Sequence, residues 1–268
     1  MKTITQLCLA LTLITLTAHA EEARWWKGNL HTHSLWSDGD DYPEMIADWY
    51  RSNDYNFLGI SDHNILAEGQ RWIHVEKKAG GRVAFEKYLK RFGDNWVEHK
   101  VENKAPQVRL KTFAEYQAKM SVPGSFLLMQ SEEITDRFQG LPIHLNATNL
   151  KKHIAPRGGT SPAAVLQNNV NAVLEQRKET GHPMFPHINH PNFGWALKPT
   201  DMIELKGERF FEVYNGHPSV RNQGDKDHLS TSQMWDIINA YRTGVYKLPL
   251  LFGSVSYTHL TLPTNREV

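Results

Sequence analysis

Short apolar runs that end in histidine, aspartate, glutamate or asparagine restrict the fold of this chain more than any other feature. Trp25–Leu30 leads into His31, and Phe57-Leu58-Gly59-Ile60 runs into Ser61-Asp62-His63-Asn64. Phe126–Gln130 ends in Ser131-Glu132-Glu133, Ile143–Ala147 carries His144, and Met184–Ile188 ends in Asn189-His190-Pro191. Phe210–Tyr214 ends in Asn215-Gly216-His217, and Leu248–Gly253 is the last such run. Runs this short and apolar read as buried strands. Helical patterns lie between them. Asp40-Asp41 and Pro43 open one with Met45, Ile46, Trp49 and Tyr50 on a stripe reaching Arg51. Ser161 caps a second with Val165, Leu166, Val170, Val173 and Leu174 inside and Gly181 closing it, and Ser230–Thr243 is a third. Alternating strands and helices predict a parallel α/β fold of about seven strands with its chemistry at the strands' C-terminal ends.

His31-Thr32-His33 sharpens this reading. Alternation along a strand puts both imidazoles on one face, aimed at one spot, and Asp38 follows on a Ser/Gly-containing turn that can bring an oxygen ligand back to it. Alone, this would equally describe two surface histidines and a turn aspartate; matching groups downstream turn it into a candidate metal site. The chain has 268 residues, 40% hydrophobic and 22% charged, enough for one sizeable domain. A formal net charge of +1 gives no basic field of the kind nucleic-acid binders carry. No internal repeat or low-complexity linker is present.

Residues 1–20 read as a secretory signal, with Lys2 before the apolar run Cys8–Leu16 and Ala18-His19-Ala20 as cleavage site. The mature chain is then expected to be periplasmic or secreted, without a membrane anchor, and to begin at Glu21. Cys8 is the only cysteine, so that chain would hold metals by nitrogen and oxygen alone, which suits Mn, Fe or Zn. Residues 65–122 break the strand–helix pattern with charged, Trp-bearing helical stretches, read as an insertion on the active-site side that acts as a lid or simply packs.

The order HTHSLWSDG, helix, short strand, SDHN resembles the N-terminal half of the PHP (polymerase and histidinol phosphatase) domain family. The resemblance implies a distorted (β/α)7 barrel with two or three divalent metal ions at its strand ends. It carries onto His31, His33, Asp38 and His63 as ligands, onto Glu133 as a carboxylate bridging two ions with Glu132 as alternative, onto His144, and onto His190 with His187 as alternative. His31, His33 and Glu133 would hold the first ion, Asp38 and His63 the second, and His144, His190 and Glu133 a third. Asp62 is expected to support a ligand histidine. Asn215 and His217 are read either as substrate contacts or as a structural turn.

The resemblance breaks after Gly253-Ser254. The family continues with Asp-x-x-His, whereas here Val255-Ser256-Tyr257-Thr258-His259 follows. Val255–Thr264 is also what a transposon-end sequencing adapter encodes when translated in frame. Residues 255–268 are therefore expected to be an artefactual tail on a C-terminally truncated domain spanning 21–254, and His259 is not taken as a ligand. The expected function is metal-dependent hydrolysis, foremost of a small phosphate ester, with Arg137, Lys151, Lys152 and Arg157 as possible anion contacts. The other readings are amide or lactone hydrolysis, or an exported metal-binding module without activity.

Overall fold

The computed structural model describes residues 23–257, so the signal-peptide reading and most of the proposed tail lie outside the described residues. Ten strands and six helices follow one another as β1 (Gly28–Thr32), α1 (Pro43–Ser52), β2 (Phe57–His63), β3 (Arg71–His74), α2 (Gly81–Phe92), β4 (His99–Glu102), β5 (Ala105–Leu110), α3 (Phe113–Met120), β6 (Leu127–Phe138), β7 (Leu141–Thr148), α4 (Pro162–Thr180), β8 (Phe185–Ile188), α5 (Pro199–Met202), β9 (Phe210–Asn215), α6 (Thr231–Gly244) and β10 (Phe252–Ser256). A 3-10 turn, Val75–Lys77, follows β3. No described helix is long and apolar enough to cross a membrane.

Seven strands form one sheet in the order β1-β2-β6-β7-β8-β9-β10. The sheet is nearly closed, and the Asn29 amide on β1 donates to the Tyr257 carbonyl just past β10 (3.4 Å). The fold is therefore mixed α/β and barrel-like, as expected, but not all parallel. β7 runs antiparallel to both β6 and β8. The cause is local: Gln139 and Gly140, the two residues between β6 and β7, both have positive φ (50° and 85°), as a two-residue hairpin turn requires. A hairpin needs no crossover helix, and the apolar runs alone could not distinguish it from a parallel connection.

Two expected boundaries also move. The first strand starts at Gly28 rather than Trp25, and the last spans Phe252–Ser256 rather than Leu248–Gly253. β10 pairs with β9 through backbone groups as far as Ser256 opposite Asn215, while Phe252 and Val255 stay about half exposed (49% and 54%).

The segment 65–122 contains more than helices: β3, β5 and β4 make a small antiparallel sheet in that order, alongside α2 and α3 in sequence. It shares one hydrophobic core with α1 and the first turn. Tyr42 stacks on Tyr88 with ring centres 4.1 Å apart, and the Trp36 indole N–H donates to the Lys111 carbonyl (3.0 Å). Buried Glu44 on α1 accepts from the Tyr88 hydroxyl (2.6 Å) and the Trp96 indole (2.7 Å). Burying these groups would be costly without the bonds. Together they pack the segment against α1 and the turn after β1.

Candidate metal centre

β2 and β6 pair in parallel with Asp62 opposite Glu132 and His63 opposite Glu133. Because strand side chains alternate, His63 and Glu133 share the inner face while Asp62 and Glu132 share the outer one. Glu132 accepts from the Ile154 amide (2.7 Å) and pairs with His153 (2.5 Å), outside the cluster. Asp62 accepts from the amides and hydroxyls of Ser34 and Ser37 at 2.6–3.0 Å. It folds the turn after β1 and lies on the opposite face of the sheet from His63, with His33 near enough to favour its charge.

Glu133 is fully buried at the centre of five imidazoles. Its Oε1 lies 3.2 Å from His31 Nε2, 3.2 Å from His144 Nδ1 and 3.1 Å from His190 Nε2. Its Oε2 lies 3.1 Å from His33 Nε2 and 2.8 Å from His63 Nδ1. The two oxygens thus divide the histidines into two sets. Asp38 closes the second set, 2.9 Å from His33 Nδ1 and 3.5 Å from His63 Nε2, and is the most open member at 55% exposure. All seven residues singled out as ligands therefore come together.

Asn215 does not reach the cavity. It is fully buried, donates to Glu212 (3.1 Å) and accepts from the His217 amide (2.8 Å), contacts that belong to the turn after β9. His217 does line the cavity, a small space of about 130 Å³ also bounded by Phe193 and Val220. Its Nδ1 accepts from the Ser219 amide (3.1 Å). His187 lies one step behind His190, its Nε2 2.6 Å from the Ser254 hydroxyl.

Glu212 was missed by sequence reasoning. Buried on β9, it lies 3.0 Å from His31 Nδ1 and accepts from the His190 amide (2.7 Å). The available signal was a lone carboxylate inside Phe210–Val213, where strand alternation can turn it into the barrel. With Glu212 included, four groups of donor atoms lie within 4.8 Å of one another: His31, His190 and Glu212; His31, His33 and Glu133; His33, Asp38 and His63; His63, Glu133 and His144.

The electrostatics follow from the crowding. Burial opposes a charge on His31, yet Glu133 and Glu212 outweigh it and raise its pKa to about 9. Burial likewise opposes His63, but Asp38 and Glu133 raise it to about 10. Burial works against ionising Glu212, whereas His31 draws it down to about 2; Glu133 is held well below the usual carboxylate range in the same way. His187, buried and facing Glu212, His31 and His190, falls to about 4.

The donor set fits divalent ions. Buried His31 Nε2, His144 Nδ1 and Glu133 Oε2 have no aligned hydrogen-bond partner. Leaving such atoms unsatisfied is costly, and lone pairs converging on a shared point are what a cation satisfies. These buried groupings can hold a metal ion through nitrogen and oxygen.

No family model matches this chain. No curated protein matches it either. The case for the site therefore rests on its own geometry.

Proposed function

We propose that the chain is a metal-dependent phosphoesterase of the PHP type, exported to the periplasm or secreted, that acts on a small phosphate ester and needs no nucleic acid. One observation carries the reading: the carboxylate of Glu133 faces His31, His144 and His190 with one oxygen and His33 and His63 with the other. A single carboxylate shared in this way suits two or three closely spaced ions, because it offsets their mutual repulsion.

Mn, Fe or Zn ions held there would supply Lewis acidity, acidifying a water and offsetting phosphoryl charge. The protein's own groups set the geometry. Glu212 at His31 Nδ1 holds that ring with Nε2 toward Glu133, and its bond to the His190 amide holds the next ligand loop. The Asn189 amide donates to Glu133 Oε1 (2.7 Å) and holds the central carboxylate in place. His217, its Nδ1 accepting from the Ser219 amide, would stand in the wall beside a bound ester. Phe193 and Val220 narrow the entrance beside it.

Because Val255 stands where the family places an aspartate, the chain as it stands is proposed to hold fewer ions than a complete family member. The test is metal content and hydrolysis of an aryl phosphate against an aryl ester, for the chain as written and for Val255→Asp. Metal-dependent cleavage of the phosphate supports the reading. Metal binding without phosphate cleavage in either chain overturns it, and a preference for the carboxylic ester would point to acyl hydrolysis instead.

A further inference from the structure

The lining of the metal cavity contains no lysine or arginine. Two cations of the segment inserted after β2 nevertheless touch the turn that carries Asp38. Lys78, just past the 3-10 turn, donates from Nζ to the carbonyl of Ser37 (2.5 Å), the residue before Asp38. Arg71 on β3 lies over the Trp36 ring at 5.5 Å, on the same turn. The insertion is held close at this corner. A Cβ at Gly80 would fall 2.1 Å from the Asp40 carbonyl oxygen, so backbone there runs directly against the turn that carries Asp38.

Neither cation makes an ion pair among the described residues, although the same segment pairs Arg82 with Glu76, Arg109 with Glu98 and Glu115, and Lys111 with Glu98. Burial and the nearby Arg71 charge lower the Lys78 pKa, against the pull of the Asp62 and Asp38 carboxylates, so the two cations stand close enough to feel each other beside Asp38. An anion that takes hydrogen bonds from both would offset their mutual repulsion. Arg137, Lys151, Lys152 and Arg157, the cations expected from the sequence, are likewise absent from the cavity lining.

We propose that Arg71 and Lys78 form an anion clamp at the Asp38 edge of the cavity, which receives the phosphoryl oxygens of the substrate and selects a dianionic phosphomonoester over a monoanionic phosphodiester. This rests on the phosphoesterase reading. Arginine supplies a planar fork of donors and Lys78 a point charge with two N–H groups beyond its bond to Ser37, a combination suited to a tetrahedral dianion.

The test is calorimetric binding of inorganic phosphate to the full chain loaded with Mn2+, compared among wild type, Arg71→Gln, Lys78→Gln and Arg91→Gln. The last removes the same charge from an exposed pair with Asp48. Each clamp variant is expected to weaken phosphate about tenfold or more, as the loss of a charge-assisted hydrogen bond does. Metal content and thermal unfolding should stay unchanged, and Arg91→Gln should behave as wild type. With aryl substrates, KM for the monoester should rise and the monoester-to-diester ratio of kcat/KM should fall about tenfold. A wild-type chain that binds phosphate but cleaves neither ester sinks the hydrolase reading and leaves the clamp standing. Unchanged phosphate binding in both clamp variants, or no binding by wild type, overturns the clamp.

Discussion

Removing metal should make the stability of this protein fall with rising pH, the reverse of its metal affinity. In the metal-free chain His31 is raised from 6.5 to about 9 and His63 from 6.5 to about 10. A group whose folded pKa is raised gives its full stabilisation below the unfolded value and loses it as pH climbs through the folded one. A histidine lifted from 6.5 to about 9 stabilises by ~3 kcal/mol below pH 6.5. His63 leans on the same Glu133, so the two are counted as one coupled unit of that order. Lowered histidines do not blur the window: His187 and His144 are neutral in both folded and unfolded chains above pH 6.5 and act only in acid. Buried Glu208, raised well above 4.5, contributes a slope of the same sign, so the comparison must be internal. Urea unfolding of chelator-treated protein at intervals from pH 6 to 10 should show the midpoint falling by ~1 M across the window. In Glu133→Gln, which removes one of the two carboxylates that raise each histidine, that slope should shrink, Glu212 and Asp38 keeping part of it. Metal-loaded protein should instead gain stability with pH, because ligation requires neutral imidazoles. Equal slopes in wild type and Glu133→Gln would refute the argument.

Three further outcomes follow from the geometry. Glu212→Gln should weaken metal binding ~10–100-fold in chelator competition while leaving every ligand in place, because it loosens His31 and the His190 loop; unchanged affinity would show that these rings need no such support. Glu133→Gln should lower metal per chain as severely as His31→Ala or His63→Ala, whereas Glu132→Gln should lower only thermal stability, by ~1–3 kcal/mol, since it serves Ile154 and His153; metal loss in the Glu132 variant would reverse the assignment of faces. Gly80→Ala should cost ~1–3 kcal/mol in denaturant unfolding, because its methyl group meets the Asp40 carbonyl; a neutral result would mean the insertion is not seated tightly there.

Much of the site was legible because ligand chemistry and strand alternation act over a few residues. The spacing of His31 and His33 puts them on one face and the matching groups downstream make that face a site, and the choice between Glu132 and Glu133 follows once the β2–β6 register is known. The sequence left that choice open because register is set by pairing with a strand more than sixty residues away. Glu212 stayed hidden for a related reason: its partner His31 lies 181 positions earlier, and a lone carboxylate in an apolar strand has no local pattern to mark it. The direction of β7 depended on positive φ at Gln139, a residue that does not advertise that conformation as glycine does. Arg71 and Lys78 look like ordinary surface charge in the sequence; only the docking of the insertion puts them beside Asp38.

The reversed strand concentrates an unusual sensitivity at a place far from any chemistry. His144 sits opposite Thr135 within β7 and not on a loop beyond a strand end, held by ladders to β6 on one side and β8 on the other. Its flanking neighbours Ile143 and Leu145 belong to the outer hydrophobic clusters. One residue added at the Gln139-Gly140 turn would slide the hairpin by a single step, sending two aliphatic side chains into the cavity and the imidazole out among the helices. Most backbone bonds could re-form after such a slip, so the chain would still find partners for its peptide groups while its inner and outer faces were exchanged. Length at this turn is thus part of what assembles the histidine–carboxylate cluster, in the way a keyway's depth belongs to the lock although nothing touches it during turning.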